Sequence, residues 1–163
     1  MGLVARNKKV AFYGVPASPG GQVTYKRMKN FTSLSTSKNP TEYSRHYVDE
    51  AFEQTDVTGY SPSIAYNFDL DSENDVHSDI VKITDGELIG SDAVRTIIVA
   101  DLTTQGSASE TYVAYKRDFS VIPDSEGDGT DAYTYSGTFK TKGNSEKIDA
   151  KISADEQILT INE

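Results

Sequence analysis

The sequence contains no cysteine, no tryptophan and only two histidines among its 163 residues. Without cysteine the protein cannot form disulfides, bind a metal through thiolates or use a cysteine nucleophile. The two imidazoles, His46 and His77, fit neither a zinc-binding spacing nor a Ser-His-Asp arrangement. The phosphate-binding patterns GxxxxGK[ST] and GxGxxG are also missing from the sequence. These absences favour a protein that is not an enzyme, and they predict no cofactor.

Basic residues are in the minority, because 16 Lys and Arg stand against 25 Asp and Glu and give a net charge of -9. A surface of this sign repels polyanions, so tight binding of nucleic acid is not expected. The sequence also lacks the roughly eighteen consecutive apolar residues of a membrane span. No long apolar stretch follows the charges at Arg6, Lys8 and Lys9, as a secretory signal requires. We therefore expect synthesis in the cytoplasm and no membrane partner.

Alternation of apolar and polar residues, the period of a half-buried β-strand, runs through most of the chain. One predicted strand face consists of Ile64, Tyr66, Phe68 and Leu70. Two more faces are Val113, Tyr115, Phe119 and Val121, interrupted by Arg117, and Tyr133, Tyr135 and Phe139. The β-branched segment 95–100 predicts a more fully buried strand, and residues 148–161 predict a hairpin around 153–156. The five prolines fall at the ends of the predicted strands, so strand interiors stay free to pair.

Residues 75–85 depart from this pattern and are predicted to form a helix. Asp75 is placed to cap its start, and Gly86 follows its end. The β-branched residues in this segment also suit a strand, but the apolar spacing favours the helix. The stripe predicted to pack against one end of the fold consists of Val76, Ile80 and Ile83.

No internal repeat and no change of composition divides the chain, so one domain is predicted over residues 1–163. Many strands and one helix predict a mainly β fold, an antiparallel β-sandwich or partial barrel with one flanking α-helix. The Ser/Thr-rich segment 31–40 is predicted to be a long exposed loop.

Two acidic clusters resemble calcium-binding loops. The first consists of Asp69, Asp71, Glu73 and Asp75, and the second of Asp124, Glu126, Asp128 and Asp131. In the first, Asn74 replaces the required glycine and Ile80 replaces the bidentate glutamate; in the second, Tyr135 occupies the glutamate position. Asp and Gly are favoured in tight turns, so the second cluster is predicted to be a solvated hairpin tip. No metal site is predicted.

Aromatic residues alternate with acids in the stretch from 43 to 60. The aromatics are Tyr43, Tyr47, Phe52 and Tyr60, and the acids are Asp49, Glu50, Glu53 and Asp56. This pattern fits strands that pack within one subunit, and it fits equally a contact between subunits, where tyrosine is enriched. Open sheet edges would also allow pairing with a neighbouring chain.

Three segments, taken in order and with their spacing, resemble a known family. They are YVDEAFEQTDVTGYSPSIAYNFD at 47–69, VHSDIVKITDGELIGSDA at 76–93 and YKRDFSVIPDSEGDGTDAYTYSGTFKTKG at 115–143. Their order is similar to that of the major tail tube protein of long-tailed bacteriophages of Gram-positive bacteria. The most specific part is the acidic DSEGDGTD that joins two aromatic strands after a helix and a strand.

This resemblance implies a structural virion protein that assembles into six-membered rings, which stack into a hollow tail tube for DNA delivery. The implied partners are further copies of the chain, together with tape-measure, tail terminator and baseplate or initiator proteins. DNA would pass through the tube without specific binding. The implied location is the phage tail.

The resemblance also implies which segments make contacts between copies. A long loop reaches the next ring in this family, which assigns that role here to residues 31–50. Residues 1–20 and 155–163 are expected to be arms that dock on neighbouring subunits. The expected contact residues are Phe31, Leu34, Lys38, Tyr43, Tyr47, Asp49 and Glu50.

A carbohydrate-binding or adhesin-like β-sandwich is the alternative interpretation, because a tyrosine-rich face can stack against sugar rings. Such a module would bind sugar as a monomer, whereas a tube subunit would form rings or filaments at high concentration. A metal-dependent hydrolase is disfavoured by the missing ligands in both acidic clusters.

Overall fold

The computed structural model describes residues 3–16, 22–127, 130–155 and 157–162. These residues form eleven strands, one α-helix and two short 3₁₀ turns. The strands are β1 (Lys9–Pro16), β2 (Val23–Arg27), β3 (Phe31–Ser37), β4 (Pro40–Arg45), β5 (Gln54–Tyr60), β6 (Ser63–Asp69), β7 (Val94–Gln105), β8 (Tyr112–Glu126), β9 (Thr134–Thr141), β10 (Glu146–Ile152) and β11 (Ile158–Asn162). The helix α1 spans Asp75–Asp85, and the 3₁₀ turns are Arg6–Lys8 and Gly90–Ala93.

The predicted mainly β fold with one flanking helix is therefore confirmed. Within the described residues, no helix is both long and apolar enough to cross a membrane.

Six strands close a small antiparallel barrel in the order β10-β11-β2-β1-β7-β8, because the first part of β8 pairs back onto β10. The predicted hairpin of β10 and β11 is confirmed, and it supplies two of these strands. Side chains that point inward from alternate positions fill the barrel. Its buried interior consists of Val10, Phe12, Ile98, Ala100, Ala114, Ala150 and Leu159.

The strand β8 is 15 residues long and changes partner along its length. Its first residues, Tyr112–Lys116, pair with β10, and Phe119–Glu126 pair with β9. The strands β9, β6 and β3 continue from there as an open sheet. Arg117 lies at the change of partner, where its buried Nε atom has no hydrogen-bond partner among the described residues. One long strand thus belongs to both the barrel and the open sheet.

The apolar face predicted along β8 is formed only in its second half. Phe119 and Val121 are buried, whereas Tyr115 is 52% exposed. In the first half the buried side chain is Ala114, on the opposite face, because there the strand lines the barrel. The prediction of one continuous face was wrong, since it assumed a single neighbouring layer.

Pro123 lies inside β8 and not at a strand end as predicted. The pairing of β7 with β8 ends at Ser120, so β8 has no β7 partner beyond that residue. A proline, which has no N–H to donate, is tolerated on such an edge. The register with β9 also shifts just after this residue, between Pro123 and Ser125.

A second core lies on the other side of β1 and β7, between the open sheet and α1. Its sheet members include Tyr13, Ile64, Tyr66, Phe68, Ile97, Phe119, Val121, Tyr135 and Phe139. The helix adds its stripe of Val76, Ile80 and Ile83, each no more than 1% exposed. Because side chains alternate along a strand, the adjacent residues Phe12 and Tyr13 face opposite cores.

The helix begins with a different cap from the one predicted. Asn74, not Asp75, is the N-cap residue, and its side chain accepts hydrogen bonds from the N–H groups of Val76 and His77 at 3.0 and 3.3 Å. Asp75 is the first helical residue and instead forms an ion pair with Lys26 of β2. A carboxylate in the first turn also interacts favourably with the helix dipole.

The described parts of the two expected arms are barrel strands in this chain. Residues 9–16 form β1, which pairs with β2 on one side and β7 on the other. Residues 158–162 form β11, which lies between β10 and β2. Both strands are thus paired on each side within the chain itself. Docking of residues 1–20 and 155–163 on neighbouring subunits stays a prediction.

The segment 31–40 is not the loop that its Ser/Thr content predicted. It forms β3 and the first residue of β4, and β3 pairs with β6 as the edge of the open sheet. Phe31 and Leu34 pack against the second core and anchor the strand. Threonine favours strands because its branched side chain suits a pleated surface, so the polar composition alone was misleading.

Candidate assembly interface

The most prominent surface feature is a long hairpin made of β4 and β5, which form their own two-stranded sheet. The strands pair from Pro40 opposite Tyr60 to Arg45 opposite Gln54, and residues 46–53 form the tip. We name residues 40–60 the hairpin arm. The Ser61 N–H donates to the Asn39 carbonyl at 3.3 Å, so the arm continues the β3–β6 ladder.

Large apolar side chains are exposed along the whole hairpin arm. The exposed fractions are 56% for Tyr43, 48% for Tyr47, 108% for Val48, 82% for Phe52, 52% for Val57 and 61% for Tyr60. A two-stranded hairpin is only marginally stable in water without a third layer. Clustered exposed apolar surface of this kind marks an interaction site. The arm therefore has the character of a surface that another molecule covers.

Contacts inside the arm fix part of this surface. The Arg45 guanidinium lies over the rings of Tyr43 and Tyr47, at 5.2 and 5.7 Å from their centroids. Its Nε–H donates to the Tyr47 hydroxyl at 2.9 Å, and Nη1 lies 2.6 Å from Asp56 Oδ2. An ion pair at the surface contributes little stability by itself. Its effect here is to hold two strands and two rings in one arrangement.

Charge is unevenly distributed along the chain. Residues 1–41 carry seven Lys and Arg and no acid, whereas residues 42–163 carry the other nine and all 25 Asp and Glu. Within the hairpin arm, five carboxylates face a single arginine, which gives the arm a net charge of -4. The molecule thus has a cationic first quarter and an acidic arm. Opposite charges on separate surfaces favour and orient association between copies.

Strand edges are open at the same end of the molecule. Among the described residues, β3 pairs with β6 on one side only, and β4 and β5 pair only with each other. Unpaired backbone N–H and C=O groups on such edges are templates for pairing with another chain unless they are covered. Open edges and the exposed arm are therefore contiguous.

The structure divides the seven predicted contact residues between three places. Those on the hairpin arm are Tyr43, Tyr47, Asp49 and Glu50. Leu34 lies on β3, and Lys38 is an exposed residue between β3 and the arm. Phe31 is half-buried, and its ring packs edge-on against Phe68 and His77 at 5.1 Å. Phe31 is thus an anchor of β3, whereas the other six lie on or beside accessible surface.

One polar cluster in the second core was missed by the sequence reasoning. The Tyr13 hydroxyl donates to Asp79 Oδ2 at 2.5 Å, and Arg95 Nε donates to the same oxygen at 2.9 Å. Burial, and next the charge of Asp79, raise the pKa of Tyr13 well above its ordinary value. The sequence held one usable signal: Asp79 lies three residues after Val76 and four before Ile83, on the buried stripe of the helix.

Both imidazoles are engaged with the backbone. His77 is fully buried; its Nδ1 accepts from the Asp71 N–H at 3.1 Å, and its Nε2–H donates to the Lys29 carbonyl at 3.1 Å. Burial lowers the pKa of His77, which keeps the ring neutral. His46 Nε2 lies 2.5 Å from the Glu50 carbonyl at the tip of the arm. His77 therefore ties the start of α1 to the turn before β3.

The acidic residues of the first predicted cluster are used in local structure. Asp71 Oδ1 accepts from the Glu73 N–H at 3.0 Å, and its Oδ2 accepts from Asn30 at 3.1 Å. Asp128, in the second cluster, lies outside the described residues. Across the described part of the chain, no three acidic or histidine side chains come close enough to hold a metal ion.

A cavity of about 660 Å³ opens at the barrel end near Ser107 and Asp149. The Ser107 hydroxyl donates to the Asp149 carboxylate, which lowers the pKa of Asp149. No histidine lines this cavity among the described residues, so the serine has no imidazole base beside it. The arrangement stabilises the turn that precedes β8.

A scan of the sequence against protein-family models gives no match, and a search of curated proteins finds no significant relative.

Proposed function

We propose that this chain is a structural, non-catalytic subunit whose copies assemble into rings that stack into a tube. The hairpin arm is the observation that carries this proposal. It exposes six large apolar side chains, is covered by no third layer among the described residues and adjoins the open edge of β3. An assembly of identical copies would cover the arm and pair the open edges.

The role that we infer for such a tube is that of a bacteriophage tail, located in the virion, through which DNA passes to the host. An acidic subunit supports this role, because a negatively charged wall attracts the phosphate backbone little and lets DNA slide. The tube would begin and end on other tail proteins, namely the tape-measure, terminator and baseplate or initiator proteins. The resemblance of the three segments described above is what points to these partners.

A carbohydrate-binding module is the second candidate, on the strength of the exposed tyrosines of the arm. Stacking on sugar needs a free ring face, and the Arg45 guanidinium already covers one face of each of the Tyr43 and Tyr47 rings. Small ligands usually occupy concave clefts, and the cavity near Ser107 and Asp149 is lined by other segments and not by the arm. Self-assembly is therefore the better supported use of this surface.

The test is to shorten the arm and follow assembly. Replacement of residues 43–56 by Asn-Gly would join Glu42 to Val57, which are opposite each other in the ladder, through a favourable two-residue turn. Wild-type protein at high concentration should show rings or tubes in negative-stain electron microscopy. The shortened chain should keep the circular dichroism and cooperative melting of a folded β protein but stay monomeric in sedimentation.

Tubes of normal appearance from the shortened chain would contradict the role of the arm. A wild-type protein that stays monomeric at every concentration, and binds a sugar in calorimetric titration, would favour the second candidate.

A further inference from the structure

A groove runs beside the edge strand β3, and its lining includes two basic residues of the cationic first quarter of the chain. Its volume is about 340 Å³, and its lining includes Arg6, Lys9, Ala11, Leu34, Ile64 and Val99. A cavity of roughly 150 Å³ is enough for a benzene ring, so this groove has room for a large side chain. Its floor is apolar, and two cations stand at its rim.

Arg6 fixes the geometry of the groove. Its guanidinium donates to the Lys9 carbonyl at 2.8 Å through Nη1 and to the Leu34 carbonyl of β3 at 3.1 Å through Nη2. The side chain thus bridges the gap between the start of β1 and the edge strand. Arg6 is thereby held against β3 at the groove.

The positive charges of the groove are only partly balanced among the described residues, where Asp101 interacts electrostatically with Lys9. Neither Arg6 nor Lys9 lies within ion-pair distance of a carboxylate of the described residues. Asp101 stands opposite Lys9 in the ladder, but its carboxylate accepts hydrogen bonds from Thr103 and Thr104. A ligand that fits here must bring apolar surface and negative charge together.

The tip of the hairpin arm has that combination. Phe52 is 82% exposed, and the acidic residues Asp49 and Glu53 flank it in sequence. Neither Asp49 nor Glu53 forms an ion pair within the described part of its own chain. The tip and the groove are therefore opposite in charge, both carry apolar surface, and the groove is large enough for the Phe52 ring.

We propose that the groove between Arg6 and β3 receives the arm tip of a second copy, with the Phe52 ring inside and Asp49 and Glu53 facing Arg6 and Lys9. This inference rests on the proposed assembly and specifies its receiving surface. The contact is head-to-tail, because tip and groove are different surfaces of one chain, so it propagates from copy to copy.

Charge reversal provides the test. R6E/K9E should raise the protein concentration needed for assembly by on the order of tenfold or more, because two favourable contacts become repulsive. D49K/E53K should do the same. The chain with all four substitutions should need about the same protein concentration for assembly as the wild type, since opposite charges again face each other. Assembly is measured by high-speed sedimentation and negative-stain microscopy, after thermal melting has shown that each variant is folded.

K147E/K151E is the matched control, because it makes the same change of charge on β10, away from the groove. It should leave assembly unchanged. Three outcomes would overturn the inference while the proposed function stands. They are normal assembly of R6E/K9E, an equal loss of assembly in K147E/K151E, and failure of the fourfold variant to regain assembly. Absence of assembly by the wild-type chain would instead count against the proposed function. If R6E/K9E assembles normally but no longer retains DNA in a filter assay, the groove is a nucleic-acid surface and the inference fails.

Discussion

Tyr13 and Asp79, which are 66 positions apart in the chain, share a hydrogen bond of 2.5 Å inside the second core. The same carboxylate accepts from Arg95, whose side chain is only 13% exposed. This cluster joins α1 to β1 and β7, the two strands that also line the barrel. The orientation of the helix therefore depends on one buried carboxylate.

Removal of that carboxylate should be costly. Asp79→Ala should lower the free energy of unfolding by about 3–5 kcal/mol, because it leaves the mostly buried Arg95 charge without its carboxylate partner. Tyr13→Phe keeps the ion pair between Asp79 and Arg95 and removes one hydrogen bond to a charged group. This variant should lower the free energy of unfolding by about 1.5–3 kcal/mol. Urea denaturation of both variants measures the difference. A loss under 1 kcal/mol for Asp79→Ala would show that the cluster does not anchor the helix.

His77 should make stability depend on pH. Its pKa in the folded chain lies below the ordinary value of 6.5, because burial opposes the charged ring more than the nearby carboxylates of Asp71 and Asp69 favour it. The unfolded chain therefore binds more protons between the two pKa values. The contribution of His77 is complete above the unfolded pKa and falls as the pH drops toward the folded one.

The urea midpoint of the wild-type chain should accordingly be lower at about pH 5.5 than at about pH 8. His77→Gln, if it folds, should show a weaker dependence over this range. A direct titration of the His77 ring by nitrogen-15 NMR is the independent measurement. A ring that takes up its proton above the ordinary pKa would contradict the assignment.

Gly137 of β9 should not tolerate a methyl group. A Cβ at this position would lie 2.5 Å from the Ile122 carbonyl oxygen and 2.6 Å from the Tyr66 hydroxyl. Gly137→Ala should therefore lower the free energy of unfolding by about 1–3 kcal/mol through overpacking. Gly59→Ala in the hairpin arm is the matched control, because a Cβ there meets no atom within 4 Å. Thermal melting should separate the two variants; equal melting temperatures would contradict the close approach.

Sequence periodicity was most informative where one element meets one apolar layer. The helix at 75–85 and the β6 face of Ile64, Tyr66 and Phe68 follow from spacing alone, because each buries a single side. Local spacing says nothing of what lies on the far side of a strand. The β-branched segment 95–100 did predict burial of both faces of β7, but not that these faces line different cores.

The sequence predicted where the exposed aromatic and acidic residues lie, but not the strand β3 or the groove beside it. Aromatic and acidic residues between 43 and 60 do lie together on exposed surface, since they occupy a hairpin with no third layer. Segment 31–40 was misjudged because its Ser and Thr content hides the anchoring by Phe31 and Leu34. The groove beside β3 brings together Arg6, Leu34 and Val99 from three distant segments, so no local pattern contains it.

The change of partner along β8 has a consequence for how the molecule opens. Because Ala114 is buried in the barrel and Phe119 in the second core, neither core can lose its packing without disturbing the same strand. Amide hydrogens in the middle of β8 should therefore exchange with solvent only when the whole molecule unfolds, whereas those of the hairpin arm exchange through local fraying. We therefore expect the two cores to open together and the hairpin arm to open on its own.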